Sequence, residues 1–164
     1  MNRVNVAIDQ WRREMPELDL LPMELAGQLT VIGRHLSQQY LEPFFKARGL
    51  QFSEFDVLAT LRRAGAPYAL TPTQLFEVLM LSSGGMTNRL DRLQKAGLIE
   101  RRPNPADRRS MLVSLTDEGL ALVNEAVPQH VENEARALSP LSREEQQTLN
   151  ALLGKLLDGL EAGQ

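Results

Sequence analysis

The stretch TPTQLFEVLMLSSGGMTNRLDRLQKAGLIERRPNPADRRSMLVSL, residues 71–115, decides the fold of this 164-residue chain. Thr71 is followed by a proline at the first helical position and a glutamine at the third, which predicts a helix reaching about Met80. A second helix, capped by Ser82 or Ser83, is expected to end at Gly97. Strand-forming residues at 98–102 and 110–115 then flank a proline-containing loop. This order predicts a winged helix-turn-helix in a mainly α (α+β) fold.

Positive charge is concentrated in the second half of that stretch. Residues 89–109 contain seven basic and three acidic side chains, a local charge of +4. The remaining residues, 11 basic and 18 acidic, carry −7, so the net charge of −3 describes a polarised molecule. Because duplex DNA is densely negative, a cationic face on an anionic body would direct one surface onto it.

Length and composition exclude several classes of protein. The chain suits one core or a small domain with dimerising extensions, and no segment is apolar enough to span a bilayer. The amino terminus lacks a secretory signal pattern, so we expect a cytoplasmic protein. There are no cysteines, and the two histidines, His35 and His130, are far apart in sequence. We therefore expect neither a metal site nor a cofactor.

The residues before the central stretch are predicted to be helical. Apolar side chains recur at helical spacing in a short amino-terminal helix ended by Pro16, at Val4, Ile8, Trp11 and Met15. A second helix, from Leu25 to Tyr40, is expected to bend or end at Pro43. Ser53, with Asp56 three positions on, predicts a capping box that opens the next helix.

Two further helices are predicted after the strands. Thr116 is expected to cap a long helix that Pro128 kinks without ending it, and Ser142 with Glu145 opens the last helix. The last helix has a broad leucine stripe, formed by Leu149, Leu152, Leu153, Leu156 and Leu160. This is more apolar surface than a terminal helix normally exposes, so we interpret it as a subunit interface.

The second helix of the central stretch has a polar outward face suited to a major groove. The residues expected to contact groove and phosphates are Ser83, Thr87, Asn88, Arg92 and Lys95. Gly84 and Gly85 lower helix propensity by about 1 kcal/mol each, which makes sense if the backbone approaches the duplex closely. A loose helix start and a solvated helix face are the alternative interpretations.

The loop between the strands supplies a cationic tip. Arg108 and Arg109 are expected to contact DNA, with Asp107 pairing the guanidinium of Arg109 and leaving its neighbour free to enter a minor groove. The alternative is a charged turn in contact with solvent only.

Residues 81–119, LSSGGMTNRLDRLQKAGLIERRPNPADRRSMLVSLTDEG, strongly resemble the MarR family of bacterial transcription regulators. The resemblance extends over nearly the whole chain and implies a single MarR-type domain, 1–164. It further implies homodimers whose terminal helices, here 1–48 and 117–164, interlock. Residues 53–115 would then form the winged DNA-binding lobe over each operator half-site.

A narrower resemblance is to the urate-responsive branch of that family, which includes HucR- and PecS-like proteins. It rests on an amino-terminal helix bearing a tryptophan, on EFDVLATLRRAG and on the NRL of the second helix of the central stretch, here called the reading helix. The resemblance implies a ligand-binding set of Trp11, Asp56, Arg89 and Arg101. By residue chemistry alone, without the resemblance, Trp11 would be a packing anchor. Asp56 would be a helix cap, and Arg101 would be a phosphate contact. Arg89, at the edge of the apolar stripe formed by Met86, Leu90 and Leu93, would be partly buried and need an anionic partner.

These features predict a homodimeric repressor that binds a pseudo-palindromic operator and is released by a small anionic aromatic ligand such as urate. A winged helix that docks onto proteins instead of DNA is the rival, and it predicts affinity with little dependence on salt. We do not expect an enzyme, because no cluster with catalytic spacing and no glycine-rich phosphate loop is present.

Overall fold

A computed structural model describes residues 2–79 and 85–163, and for Arg108 the backbone only. The chain divides into two compact units, one up to Gly49 and one from Leu50 onward. The first unit contains α1 (Arg3–Glu14), α2 (Leu21–His35), a π-helical segment (Leu36–Leu41) and α3 (Glu42–Lys46). The second contains α4 (Phe52–Arg63), β1 (Ala69–Leu70), α5 (Pro72–Val78), α6 (Met86–Lys95), β2 (Ile99–Asn104), β3 (Asp107–Leu115), α7 (Asp117–Ala137) and α8 (Arg143–Ala162).

In the first unit, α1 packs on α2 through a small apolar cluster. Val4, Ile8 and Leu20 are buried, and Val31 packs against them. Gly27 allows this approach, since a Cβ there would lie 3.1 Å from Cγ1 of Val4. Asn2 caps α1 by accepting the backbone N–H of Val4, and the helix ends before Pro16, as predicted.

Pro43 does not end the second predicted helix. The helical path continues to Lys46, and the winding widens to a π-helical segment before the proline. Because proline has no N–H and its ring clashes with the carbonyl four residues back, a wider turn lets the chain continue.

In the second unit, α4 is the central helix, and α7 packs across it. Its buried stripe includes Phe55, Leu58 and Leu61. The predicted cap at Ser53 is wrong, because α4 begins at Phe52 with Gln51 as its N-cap. The carboxylate of Glu54 accepts the backbone N–H of Gln51 at 2.7 Å, which is the contact the sequence analysis assigned to Asp56.

A three-stranded antiparallel sheet in the order β1-β3-β2 forms the wing and its base. Both predicted strands are present and are longer than predicted, so that Pro105 and Ala106 alone connect them. The sequence analysis missed β1, which pairs Ala69 with Ser114 and Leu70 with Val113.

The caps predicted at Thr71, Thr116 and Ser142 are all confirmed. Pro128 lies inside α7, which continues past it as predicted. None of the described helices is long and apolar enough to cross a membrane.

Candidate nucleic-acid interface

The predicted reading helix begins later than the sequence suggested. It starts at Met86, and Gly85 is its N-cap with φ of 75°, while the predicted caps Ser82 and Ser83 both lie outside the described residues. Glycine adopts this left-handed conformation without steric cost, which explains why a glycine occupies position 85. The prediction placed Gly85 inside the helix. Ser83 and Gly84 lie outside the described residues.

The two faces of α6 differ in burial, as helical periodicity predicts. Leu90 and Leu93 are buried in the second unit, and Met86 is half-buried beside them. The opposite face is exposed and consists of Thr87, Asn88, Asp91, Arg92 and Lys95. Asn88, Arg92 and Lys95 are four and three residues apart, so they follow one another along the same side of the helix. This side offers amide, guanidinium and ammonium donors to an acceptor-rich surface.

Backbone contacts connect α6 directly to the wing. Gly97, at φ of 74°, reverses the chain, and the N–H of Leu98 then donates to the carbonyl of Leu93 at 3.0 Å. Across the junction, the hydroxyl of Thr116 donates to the carbonyl of Gly97 at 2.6 Å. Gly119 is buried there, and a Cβ at this position would lie 1.9 Å from the carbonyl oxygen of Leu98. The start of α7 therefore packs against the turn between α6 and β2 and holds it in place.

Ion pairs hold two flanks of α6. On one flank, Arg101 of β2 pairs with Asp91 at 2.7 Å. On another, Nε of Arg92 lies 3.0 Å from Oε1 of Glu54, whose side chain is only 4% exposed. Arg92 was predicted to contact DNA, and its pair with Glu54 was not predicted. The spacing Gln51-x-x-Glu54, a capping-box signal, could have identified Glu54 as a cap of α4, and contains no sign of its pair with Arg92.

The tip of the wing is a compact hydrogen-bonded turn. Oδ1 of Asn104 accepts the N–H of Ala106 at 3.0 Å, and its Nδ2 donates to Ser110 at 2.9 Å. The predicted guanidinium pair of Asp107 and Arg109 is wrong, since Oδ1 of Asp107 accepts the backbone N–H of Arg109 at 2.9 Å. This local bond needs no ordering of a long side chain. The side chain of Arg109 is exposed at the tip.

Three of the four predicted ligand-binding residues lie in the second unit, on α6 or on elements that contact it. Asp56 is buried on α4, with Nη1 of Arg63 3.9 Å from its Oδ1. Arg89 is half-buried on α6, and its Nη1 is shielded from solvent. Arg101 is 30% exposed and pairs with Asp91, which the sequence analysis did not foresee. Trp11 is on α1 of the first unit and is 43% exposed.

The chain has close sequence relatives. A sequence model of the MarR family matches residues 48–110. The chain is similar to the HTH-type transcriptional regulator PecS of Dickeya dadantii, with 48% identity over 153 residues that cover 93% of this chain and 92% of that protein. It is also similar to the multiple antibiotic resistance protein MarR of Salmonella typhimurium, with 32% identity over 140 residues that cover 85% and 93%.

Solved structures share the fold. A mutant MarR from Escherichia coli complexed with operator DNA is 29% identical, with a TM-score of 0.70 over 90% of this chain and 97% of that one. AbsC from Streptomyces coelicolor is 24% identical, with a TM-score of 0.75 over the same shares, and shows likeness of fold alone. The predicted winged helix-turn-helix is thereby confirmed.

Proposed function

Because this chain belongs to the MarR family of transcription regulators, we propose that it is a homodimeric repressor that binds a pseudo-palindromic operator. The observation that carries the proposal is the exposed polar face of α6, anchored by buried Leu90 and Leu93 and followed directly after Gly97 by a basic hairpin. A relative of the same fold is known in complex with operator DNA.

In this proposal, α6 enters the major groove and the wing lies over a neighbouring minor groove. The residues proposed to contact DNA are Ser83, Thr87, Asn88, Arg92, Lys95, Arg108 and Arg109. Asn88 would hydrogen-bond a base edge, since a side-chain amide matches the donor and acceptor of adenine. The cations would neutralise phosphates and so make affinity depend on salt.

Selection of bound fragments from the genomic DNA of the source organism tests this proposal. We expect recovered fragments to share a two-fold symmetric sequence with half-sites about one helical turn apart. An unenriched pool, together with salt-independent binding to a protein, would favour the protein-docking alternative instead.

Exposed apolar faces in each unit support the homodimer. On α2, Leu21, Leu25, Leu29 and Ile32 form a stripe 42–59% exposed. On α8, six leucines are 37–61% exposed, and no residue of the helix is buried. Such contiguous apolar surface is uncommon on a monomer. We therefore assign both faces to contacts between two copies of the chain.

The proposed effector is a small anionic aromatic molecule such as urate, held by Trp11, Asp56, Arg89 and Arg101. A half-buried guanidinium on α6 suits a planar anion, because its fork of donors can bind two acceptor atoms together. The added negative charge would repel the buried carboxylate of Asp56. Ligand binding would thus act on the helix that reads DNA.

The contacts of Asp56 suggest how this change reaches the DNA-binding helices. Arg63, 3.9 Å from Asp56, also donates through Nη2 to the carbonyl of Val78 at 2.5 Å. Val78 is the last residue of α5, so a shift of Asp56 would move the end of that helix. By linkage, DNA must weaken ligand binding by the same factor, and a coupling of about 1 to 3 kcal/mol suffices for a switch.

Trp11 is the only tryptophan, so its fluorescence reports ligand binding directly. We expect urate to quench it in the wild type, and not in Arg89→Ala. In Arg63→Ala, quenching should persist while urate no longer releases DNA. Quenching that survives in Arg89→Ala would contradict the assigned pocket. Failure of urate to release DNA at millimolar concentration would reject urate, and leave the DNA proposal standing.

A further inference from the structure

The buried carboxylate of Glu54 makes two contacts at once. Oε2 accepts the backbone N–H of Gln51 at 2.7 Å and so caps α4. Oε1 lies 3.0 Å from Nε of Arg92 on α6. A carboxylate that is 4% exposed is costly to leave without a cation, so this arrangement fixes where the guanidinium of Arg92 must sit.

We infer that Glu54 is a positioning residue, an inference that rests on the proposed DNA-binding function. By orienting Arg92, Glu54 makes this arginine distinguish the operator from other DNA rather than attract all DNA equally. The ion pair uses Nε, and among the described residues Glu54 is the one acidic side chain paired with Arg92. The Arg92 side chain remains 57% exposed, between Asn88 and Lys95 on the outward side of α6. Because the pair with Glu54 is made at Nε, the two Nη nitrogens of this exposed side chain would act as a donor pair extending from a fixed point.

Specificity for the operator depends on this direction. A mobile arginine contributes to every duplex equally, because a flexible cation follows phosphates whatever the sequence. A guanidinium held through Nε loses less freedom when it hydrogen-bonds a fixed acceptor, so the held arginine favours the duplex whose geometry matches it.

A double-mutant cycle tests the inference, with the selected operator and a scrambled duplex of equal length as probes. In Glu54→Gln the side chain keeps an oxygen for the cap and loses its charge, so α4 remains capped. We expect about tenfold weaker operator binding with less than threefold change on the scrambled duplex. In the Arg92→Ala background the same change should have no further effect. Equal losses in both backgrounds, or on both duplexes, would overturn the inference.

Arg92→Lys provides a second variant on an exposed side chain that leaves Glu54 and its cap untouched. Lysine keeps the charge and lacks the Nε and Nη fork, so operator affinity should fall about as far as in Glu54→Gln. Wild-type specificity in Arg92→Lys would contradict the inference while the proposed function stands. If the wild type itself binds no duplex, the proposed function fails and this inference fails with it.

Discussion

The helices α6 and α8 have similar sequence patterns and very different surroundings. Each has an apolar stripe and a polar face, yet α6 buries Leu90 and Leu93 within its own unit, whereas α8 has no buried residue. Ion pairs from α4 and β2 further hold α6 in place. This difference suits the proposed roles, because a helix that reads DNA is best positioned within its own subunit, while an interface helix is completed only by a second subunit.

The largest effect is expected on α8. Leu153→Asp with Leu156→Asp would place two charges in the proposed interface, and burying them unpaired is prohibitive. We expect the dimer to dissociate at least 100-fold more readily, measured by sedimentation. As a matched control, Gln147→Asp with Ala151→Asp adds the same charges on another side of the helix and should leave the dimer intact. A dimer that survives the leucine substitutions would remove α8 from the interface.

Two glycine-to-alanine substitutions, one in each region, compare how the regions contribute to the free energy of unfolding. Gly119→Ala places a Cβ 1.9 Å from the carbonyl oxygen of Leu98, so the junction between α6, β2 and α7 must shift. We expect it to lower the free energy of unfolding by about 2 kcal/mol or more. Gly154→Ala on α8 meets nothing within 4 Å and should stabilise the helix by about 0.5 to 1 kcal/mol. Chemical denaturation of both variants measures the contrast, and equal effects would contradict it.

The wing is expected to contribute through charge. Arg108→Ala with Arg109→Ala should weaken operator binding roughly 10- to 100-fold at moderate salt and make the salt slope about 1.8 shallower, since each phosphate contact contributes about 0.9. Arg12 and Arg13 form a similar adjacent pair on the exposed side of α1, and their double alanine variant is the control. If both double variants behaved alike in anisotropy titrations, the effect would be one of net charge alone.

The smallest effect is expected at the pair of Asp91 and Arg101. Asp91 is 54% exposed, so its ion pair with Arg101 contributes about 0 to 1 kcal/mol. Asp91→Asn should therefore leave the thermal midpoint almost unchanged. A large loss of stability would mean that the α6 flank is held more by this pair than by buried leucines.

Much of the fold could be predicted because its signals are local. Thr71, Thr116 and Ser142 each cap a helix within three residues of themselves, and Gly97 ends α6 by its own φ. Errors arose where two local signals competed. Both Ser53-x-x-Asp56 and Gln51-x-x-Glu54 resemble a capping box, and the helix begins at Phe52, which makes Gln51 the cap.

The residues of the candidate site could be predicted from the sequence, but the contacts between them could not. The outward face of α6 follows from helical periodicity, which the sequence contains. The partners Glu54 and Asp91 depend on how α4 and β2 pack against α6, and that is not encoded in any local spacing. The same holds for β1, a two-residue strand whose pairing with β3 spans more than 40 residues.

In the proposed function, two copies of this winged lobe bind one duplex through phosphates and base edges. Sedimentation of the wild-type protein with a duplex recovered by genomic selection, repeated at increasing KCl, measures stoichiometry and salt dependence together. We predict two chains per duplex and an affinity that falls steeply and linearly with log salt. A single chain per duplex, or no complex at low ionic strength, would contradict the account.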